Sequence, residues 1–203
     1  MRVPSLAMTE TVNFTTSDGI EIVGDLSVAT EAIGAAIICH PHPQHGGNRH
    51  NNVVHALFEA FPAAGVTALR FDFRADFDGG HGETLDAIAA IDHLASVAGD
   101  VPNFATGYSF GAAIALGLDD PRIAAKVLVA PPLAVMQAER TMDVDTLILT
   151  PAHDQFSTPD ATEAIISRWP RTTHETIASA DHFLNGRTGQ VAERSVEFLT
   201  ATR

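Results

Sequence analysis

Cysteine is scarce in this sequence: Cys39 is the only one among 203 residues, and it lies within an apolar run. One cysteine cannot form an intrachain disulfide, which excludes a small domain held together by disulfides. Nothing in the sequence therefore requires an oxidising compartment. We expect Cys39 to fill space in the core.

Basic residues are also few. The chain has 12 Lys and Arg against 25 Asp and Glu, which gives a formal net charge of −13, and no run of basic residues offsets this charge locally. Such a chain repels phosphate backbones and anionic lipids. We therefore exclude nucleic-acid binding and membrane-surface binding as its main role.

Long apolar runs are missing. No segment approaches the eighteen uninterrupted apolar residues of a membrane-spanning helix, so no membrane insertion is predicted. The start, MRVPSLAMTE, lacks the charged head and apolar stretch of a secretory signal. We expect a cytoplasmic protein.

The composition that remains is that of a globular protein. Apolar residues make up 45% of the chain and charged residues 18%, which suffices for a sizeable core. We see no repeat, low-complexity tract or linker, so a single domain over residues 1–203 is predicted. A homodimer is compatible with the sequence, which does not decide the oligomeric state.

Strand patterns alternate with helix patterns along the chain. Asp18-Gly19 predicts a tight turn in an opening antiparallel hairpin of residues 11–16 and 20–28. Short apolar runs predict buried strands over residues 33–39, 66–73, 103–108, 126–130, 146–150 and 173–177. Apolar spacing and capping residues predict helices over residues 54–61, 85–97, 161–169 and 188–199. The alternation predicts an α/β fold with a mainly parallel sheet covered on both faces.

A G-x-S-x-G motif, Gly107 to Gly111, follows one predicted strand and precedes a helical segment. In a nucleophile elbow the serine sits on a sharp strand-to-helix turn, and small residues let the backbones approach closely. Gly107 and Gly111 meet that demand. Ser109 would then stand above the sheet, and the amide of Phe110 would point at a substrate carbonyl. The alternative is a glycine-rich strand end with an incidental serine.

A serine hydroxyl needs an imidazole base, itself oriented by a carboxylate. The two last predicted strands lead into His153-Asp154 and Asp181-His182. Neighbouring side chains on an extended segment point apart, so Asp181 is poorly placed to orient His182, and Asp154 is favoured. The chain order Ser109, Asp154, His182 is the order described for α/β-hydrolases. His153 remains an alternative to Asp154 as the functional residue after its strand.

These motifs resemble those of the α/β-hydrolase superfamily, in particular its small cap-less bacterial serine hydrolases close to dienelactone-hydrolase-like esterases. The resemblance is carried by the H-P-H-P-x-x-G-G loop of residues 40–47, the elbow, the late aspartate and D-H-F at residues 181–183. It implies an eight-stranded, mostly parallel sheet with an N-terminal antiparallel hairpin, helices on both faces and no cap domain. It also implies a triad of Ser109, His182 and Asp154 without a cofactor.

The resemblance further implies that the second oxyanion donor comes from the loop after the third strand. Pro41 and Pro43 have no N–H, so among residues 41–43 only His42 can donate its amide. Equivalent loops commonly read H-G-x with the donor at x, which also falls on His42. The predicted oxyanion hole is therefore formed by the amides of His42 and Phe110.

Two other interpretations compete with the hydrolase. His40, His42 and His45 are spaced like metal ligands, but the prolines constrain the backbone and no cysteine or carboxylate cluster follows, so no metal is predicted. The second competing interpretation is a non-catalytic small-molecule receptor on a hydrolase scaffold. The favoured function is a serine hydrolase that cleaves ester or thioester bonds of small to medium acyl substrates.

Two loops bear on access to the site. The stretch 74–83 departs from the R-G-x-G-x-S-x-G pattern of the family, with Ala75 at the first glycine. Only about fifteen residues, 131–145, separate the sixth and seventh predicted strands, too few for a helical lid. We expect a solvent-open site, because an uncapped cleft excludes water poorly unless loops such as residues 77–81 or 133–142 cover it.

Overall fold

A computed structural model describes residues 9–136 and 139–202 of the chain. Residues 1–8, where no secretory signal was expected, lie outside the described residues, as do Gln137 and Ala138 of the 133–142 loop. Within the described ranges, no helix is long and apolar enough to cross a membrane.

Among the residues that the structure describes, eight strands form one sheet in the order β1-β2-β4-β3-β5-β6-β7-β8. The strands are β1 Thr9–Thr15, β2 Glu21–Ser27, β3 Gly34–Cys39, β4 Val66–Phe71, β5 Asn103–Tyr108, β6 Ile123–Val129, β7 Asp145–His153 and β8 Thr172–Asp181. Strand β2 pairs antiparallel with β1 and β4, and all other pairs are parallel. Every residue of β3, β4 and β5 is buried, as expected for central strands covered on both faces.

The described part of the chain contains five α-helices that pack on the sheet: α1 Asn52–Ala63, α2 His81–Ala98, α3 Phe110–Gly117, α4 Pro159–Ile166 and α5 Thr188–Ala201. Apolar residues of α1 and α5 belong to one core cluster, and those of α2 and α3 belong to a second. The predicted α/β fold with an N-terminal antiparallel hairpin and two covered faces is confirmed.

Several predicted boundaries were wrong. Strand β6 begins three residues before Lys126, and β7 continues through Pro151 to His153. Strand β8 runs to Asp181, four residues past the predicted end, and Ser179 in this extension has a φ of 54°. The extension, residues 178–181, contains only alanine, serine and aspartate, so no run of large apolar residues marks it as a strand. Helix α4 ends three residues before Trp169.

The apolar spacing that predicted a helix over residues 85–97 was only partly correct about which side chains of α2 are buried. Val97 is 42% exposed, whereas the acidic side chains of Glu83 and Asp86 are fully buried. Asp86 accepts hydrogen bonds from the amide and the guanidinium of Arg74, and Glu83 accepts from the amides of Asp78 and Gly80. The loop that departs from the family pattern is thus fixed to the start of α2 by buried carboxylates.

Strands β6 and β7 are joined by residues 130–144, which hold no helix or strand within their described part. This connection is too short for a cap domain, as predicted.

Candidate active site

Ser109 occupies a strained turn between β5 and α3. Its φ of 54° and ψ of −119° lie outside the conformations that a non-glycine residue normally adopts. Two glycines make room for the turn. A Cβ on Gly107 would lie 2.1 Å from the carbonyl oxygen of Gly111, and a Cβ on Gly111 would lie 2.3 Å from that of Cys39. The start of α3 therefore packs directly on the end of β3.

A continuous hydrogen-bonded chain runs from Ser109 through His182 to Asp154. Ser109 Oγ lies 2.9 Å from His182 Nε2, and His182 Nδ1 lies 2.7 Å from Asp154 Oδ2. His182 and Asp154 are only 4% and 3% exposed. The three residues follow β5, β7 and β8, whose parallel carboxyl ends meet at one edge of the sheet.

The second carboxylate oxygen of Asp154 is held as well. Asp154 Oδ1 accepts the amides of Phe156 and Ser157 at 2.8 and 3.0 Å, so the carboxylate has a fixed orientation. Asp181 Oδ1 instead accepts the amide of Phe183 at 3.1 Å. His153, the alternative to Asp154, is exposed at the end of β7.

The histidine-rich loop after β3 contains a short 3-10 helix, Pro43–His45. His40, 1% exposed, is held at both ring nitrogens: Nδ1 donates to the carbonyl of Pro41 at 2.5 Å, and Nε2 accepts the amide of Phe73 at 3.0 Å. Burial lowers the pKa of His40, which favours the neutral ring that these two contacts require. His40 orders the loop.

The His42 ring lies against aromatic side chains at the rim of the site. Its centroid is 4.5 Å from that of Phe77 and 4.9 Å from that of Phe110. Burial and the neighbouring His45 both lower the pKa of His42, the burial more strongly. The His42 carbonyl accepts the amides of His45 and Gly47, so its peptide is fixed on one side.

These contacts leave little for a metal ion. Both ring nitrogens of His40 are already engaged, and His42 Nδ1 accepts the amide of Gln44 at 3.3 Å. In the described part of the chain, no group of three or more His, Cys, Asp or Glu side chains is arranged to hold a metal.

Sequence reasoning missed two residues that hold His182. The hydroxyl of Tyr108 donates to the His182 carbonyl, and the Gln155 side chain accepts the His182 amide. Their positions in the chain could have identified them, because Tyr108 directly precedes Ser109 and Gln155 directly follows Asp154. Residues adjacent to a triad member are well placed to reach another member across the sheet edge.

Comparisons with known proteins agree with this architecture. The structure of an α/β serine hydrolase homologue from Coxiella burnetii matches with a TM-score of 0.85 and 27% identity, over 95% of this chain and 99% of that one. An α/β serine hydrolase without a lid from Xanthomonas campestris matches with a TM-score of 0.86 and 20% identity, over 95% and 94% of the two chains. The chain has the α/β-hydrolase fold. The likeness to the Coxiella homologue also supports the superfamily predicted from the motifs.

The sequence comparisons add less. An uncharacterised protein of Rickettsia prowazekii is 28% identical over 184 residues, which span 81% of this chain and 77% of that protein. No protein-family model matches the sequence.

Proposed function

We propose that this α/β-hydrolase is a serine hydrolase that cleaves carboxylic esters or thioesters through an acyl-enzyme intermediate. The observation that carries the proposal is the hydrogen-bonded chain Ser109, His182, Asp154. Alcohol, imidazole and carboxylate in this order are the parts that nucleophilic acyl transfer needs. The finer likeness to dienelactone-hydrolase-like esterases rests on the sequence motifs of residues 40–47 and 181–183.

Each member has one role in this mechanism. His182 Nε2 takes the proton of Ser109 as Oγ attacks the substrate carbonyl, and it then gives that proton to the departing alcohol or thiol. Asp154 accepts from Nδ1, which fixes the tautomer and stabilises the imidazolium. Water activated by the same nitrogen releases the acyl group and restores Ser109.

The amides of His42 and Phe110 are the proposed donors to the oxyanion. Phe110 is the first residue of α3, where amides have no acceptor within the helix. The rings of His42 and Phe110 pack together, and α3 lies against the end of β3, which supports placing both amides on one side of Ser109. Preorganised donors of this kind typically contribute about a hundred- to a thousandfold in turnover each.

Covalent labelling tests the proposal directly. A fluorophosphonate probe should label the protein on the peptide that contains Ser109, and a panel of small esters and thioesters should be hydrolysed. Ser109→Ala should lose labelling and turnover, whereas Ser96→Ala, which removes an exposed hydroxyl on α2, should keep both. Circular dichroism should show that Ser109→Ala remains folded.

Other outcomes would separate the competing interpretations. A folded wild-type protein that is neither labelled nor active, yet binds small molecules, would favour a receptor on a hydrolase scaffold. Turnover that survives Ser109→Ala would remove the elbow from the mechanism. Stoichiometric metal in untagged protein would revive the histidine-loop interpretation.

A further inference from the structure

Phenylalanines near the site are unevenly exposed. The chain has eleven, all within the described ranges. Nine are buried or half-buried, while Phe156 and Phe183 are 45% and 56% exposed. Both exposed rings neighbour His182. Isolated exposed apolar side chains are common, but two aromatic rings on one catalytic-type histidine form a local apolar surface.

The two rings have fixed anchors. The Phe156 centroid lies 4.5 Å from that of the His182 imidazole and the Phe183 centroid lies 6.0 Å from it, both nearly edge-on. The Phe156 amide donates to Asp154 and the Phe183 amide donates to Asp181, at 2.8 and 3.1 Å. Their backbones are thus held while the rings project into solvent beside the imidazole.

The chemistry of acyl transfer says which part of a substrate meets this surface. His182 Nε2 must reach the leaving-group oxygen or sulfur in order to protonate it, so the leaving group lies on the imidazole side of Ser109. The amides of His42 and Phe110, which we propose as donors to the oxyanion, would instead face the carbonyl oxygen of the substrate. Because the rings of Phe156 and Phe183 both neighbour this imidazole, the alcohol portion is the part of the substrate that we expect them to meet.

We propose that Phe156 and Phe183 form a leaving-group subsite that takes an uncharged aromatic or bulky apolar alcohol. The proposal rests on the proposed hydrolase function and adds the class of leaving group to it. The negative charge of the protein supports an uncharged leaving group. The net charge is −13, and the exposed carboxylate of Asp181 accepts the amide of Phe183, so a phosphate-bearing thiol such as coenzyme A would be repelled.

The test compares alcohols of similar intrinsic reactivity on one acyl group. We expect the wild type to prefer 2-phenylethyl acetate over ethyl acetate in kcat/KM, and each of Phe156→Ala and Phe183→Ala to reduce this ratio about tenfold, the size of a lost aromatic contact. Phe156→Leu, which keeps an apolar side chain, should retain more of the preference than Phe156→Ala. Val97→Ala, which trims an exposed apolar residue on α2, is the matched control and should leave the ratio unchanged.

A second series varies the acyl chain with ethanol as the constant alcohol. If the phenylalanines contact the leaving group, their substitution should change the acyl preference less than about twofold. A larger change in acyl preference, or an unchanged alcohol preference, would overturn the subsite. A wild-type enzyme that prefers acetyl-coenzyme A to the acetyl thioester of an uncharged alkyl thiol would also overturn the proposed subsite.

Fluorophosphonate labelling separates this result from failure of the hydrolase itself. Labelling of the variants at Ser109, together with their turnover of ethyl acetate, shows whether the catalytic residues work. The ratio of the kcat/KM values for 2-phenylethyl acetate and ethyl acetate reports on the subsite. Absence of labelling and turnover in the wild type would refute the proposed function first.

Discussion

The hydroxyl of Tyr108 donates a buried hydrogen bond of 2.8 Å across the sheet edge to the backbone carbonyl of His182. On the other side of the same residue, the His182 amide donates to Gln155 Oε1 at 3.2 Å. Tyr108 precedes Ser109 in the chain, and Gln155 follows Asp154. The side chain of His182 bonds to Ser109 and Asp154, and its backbone bonds to the residues next to them, Tyr108 and Gln155.

Tyr108→Phe removes the hydroxyl and keeps the ring, which leaves the His182 carbonyl without this donor. Because small displacements of a catalytic group reduce the chemical step more than substrate binding, we expect kcat to fall about tenfold and KM to change little. Steady-state kinetics on one ester, with the labelling rate of Ser109 beside it, gives the measurement. A variant that keeps kcat while losing only thermal stability would show that Tyr108 is structural.

The two aspartates near His182 provide a matched pair of substitutions. Asp154→Asn removes the carboxylate that meets Nδ1 and should lower kcat by up to about 10⁴-fold, because the amide no longer holds the required tautomer. Asp181→Asn alters a carboxylate that accepts the amide of Phe183 rather than meeting His182 Nδ1, and kcat should stay within a few-fold of wild type. Equal losses in the two variants would contradict the assignment of Asp154.

Much of the fold could be predicted because its signals are local. The apolar runs that became β3, β4 and β5 are buried along their whole length, and Asp18-Gly19 forms the turn where it was expected, with a φ of 86° at Gly19. The order of the motifs along the chain then predicted which residues share the carboxyl edge of the sheet.

The remainder depends on contacts between distant residues. Tyr108 and His182 are 74 positions apart, and no local pattern records their hydrogen bond. The burial of Asp86 was missed for a similar reason, since a carboxylate is buried only when a partner such as Arg74 is available. Exposure of Phe156 and Phe183 could not be read from their apolar character at all.

The elbow glycines should not tolerate a methyl group. Gly111→Ala places a Cβ within 2.5 Å of the carbonyl oxygens of Cys39 and His40, and this backbone cannot move without shifting α3 from β3. We expect a loss of about 3 kcal/mol or more in the free energy of unfolding, or failure to fold. Gly189→Ala in α5 is the control, because its Cβ meets nothing within 4 Å and alanine favours the helix. Urea unfolding of both variants compares them, and similar stability would contradict the close packing.

Lys126, the only lysine in the chain, is 1% exposed and lies beneath the end of α3. Its Nζ donates to the carbonyls of Leu116 and Leu118 at 2.7 and 2.8 Å, partners that a neutral amine can also serve. Burial, reinforced by the charge of Arg140, lowers the pKa of Lys126 from 10.5 to about 8. At neutral pH the folded protein therefore carries the cost of a buried ammonium.

This shift gives a definite sign to the pH dependence of stability. Between pH values of about 8 and 10.5 the folded state releases the Lys126 proton and the unfolded state keeps it, so the contribution of Lys126 to the free energy of unfolding rises with pH. The gain should reach roughly 3 kcal/mol. Lys126→Met lacks this titration. The ionisations of Tyr108 and Cys39, whose pKa values are raised by burial, act in the opposite direction, but they are common to both proteins and cancel in their difference. Urea titrations from about pH 7 to 10 should show the wild type gaining on Lys126→Met, whereas a constant difference would mean that the buried amine keeps its proton throughout.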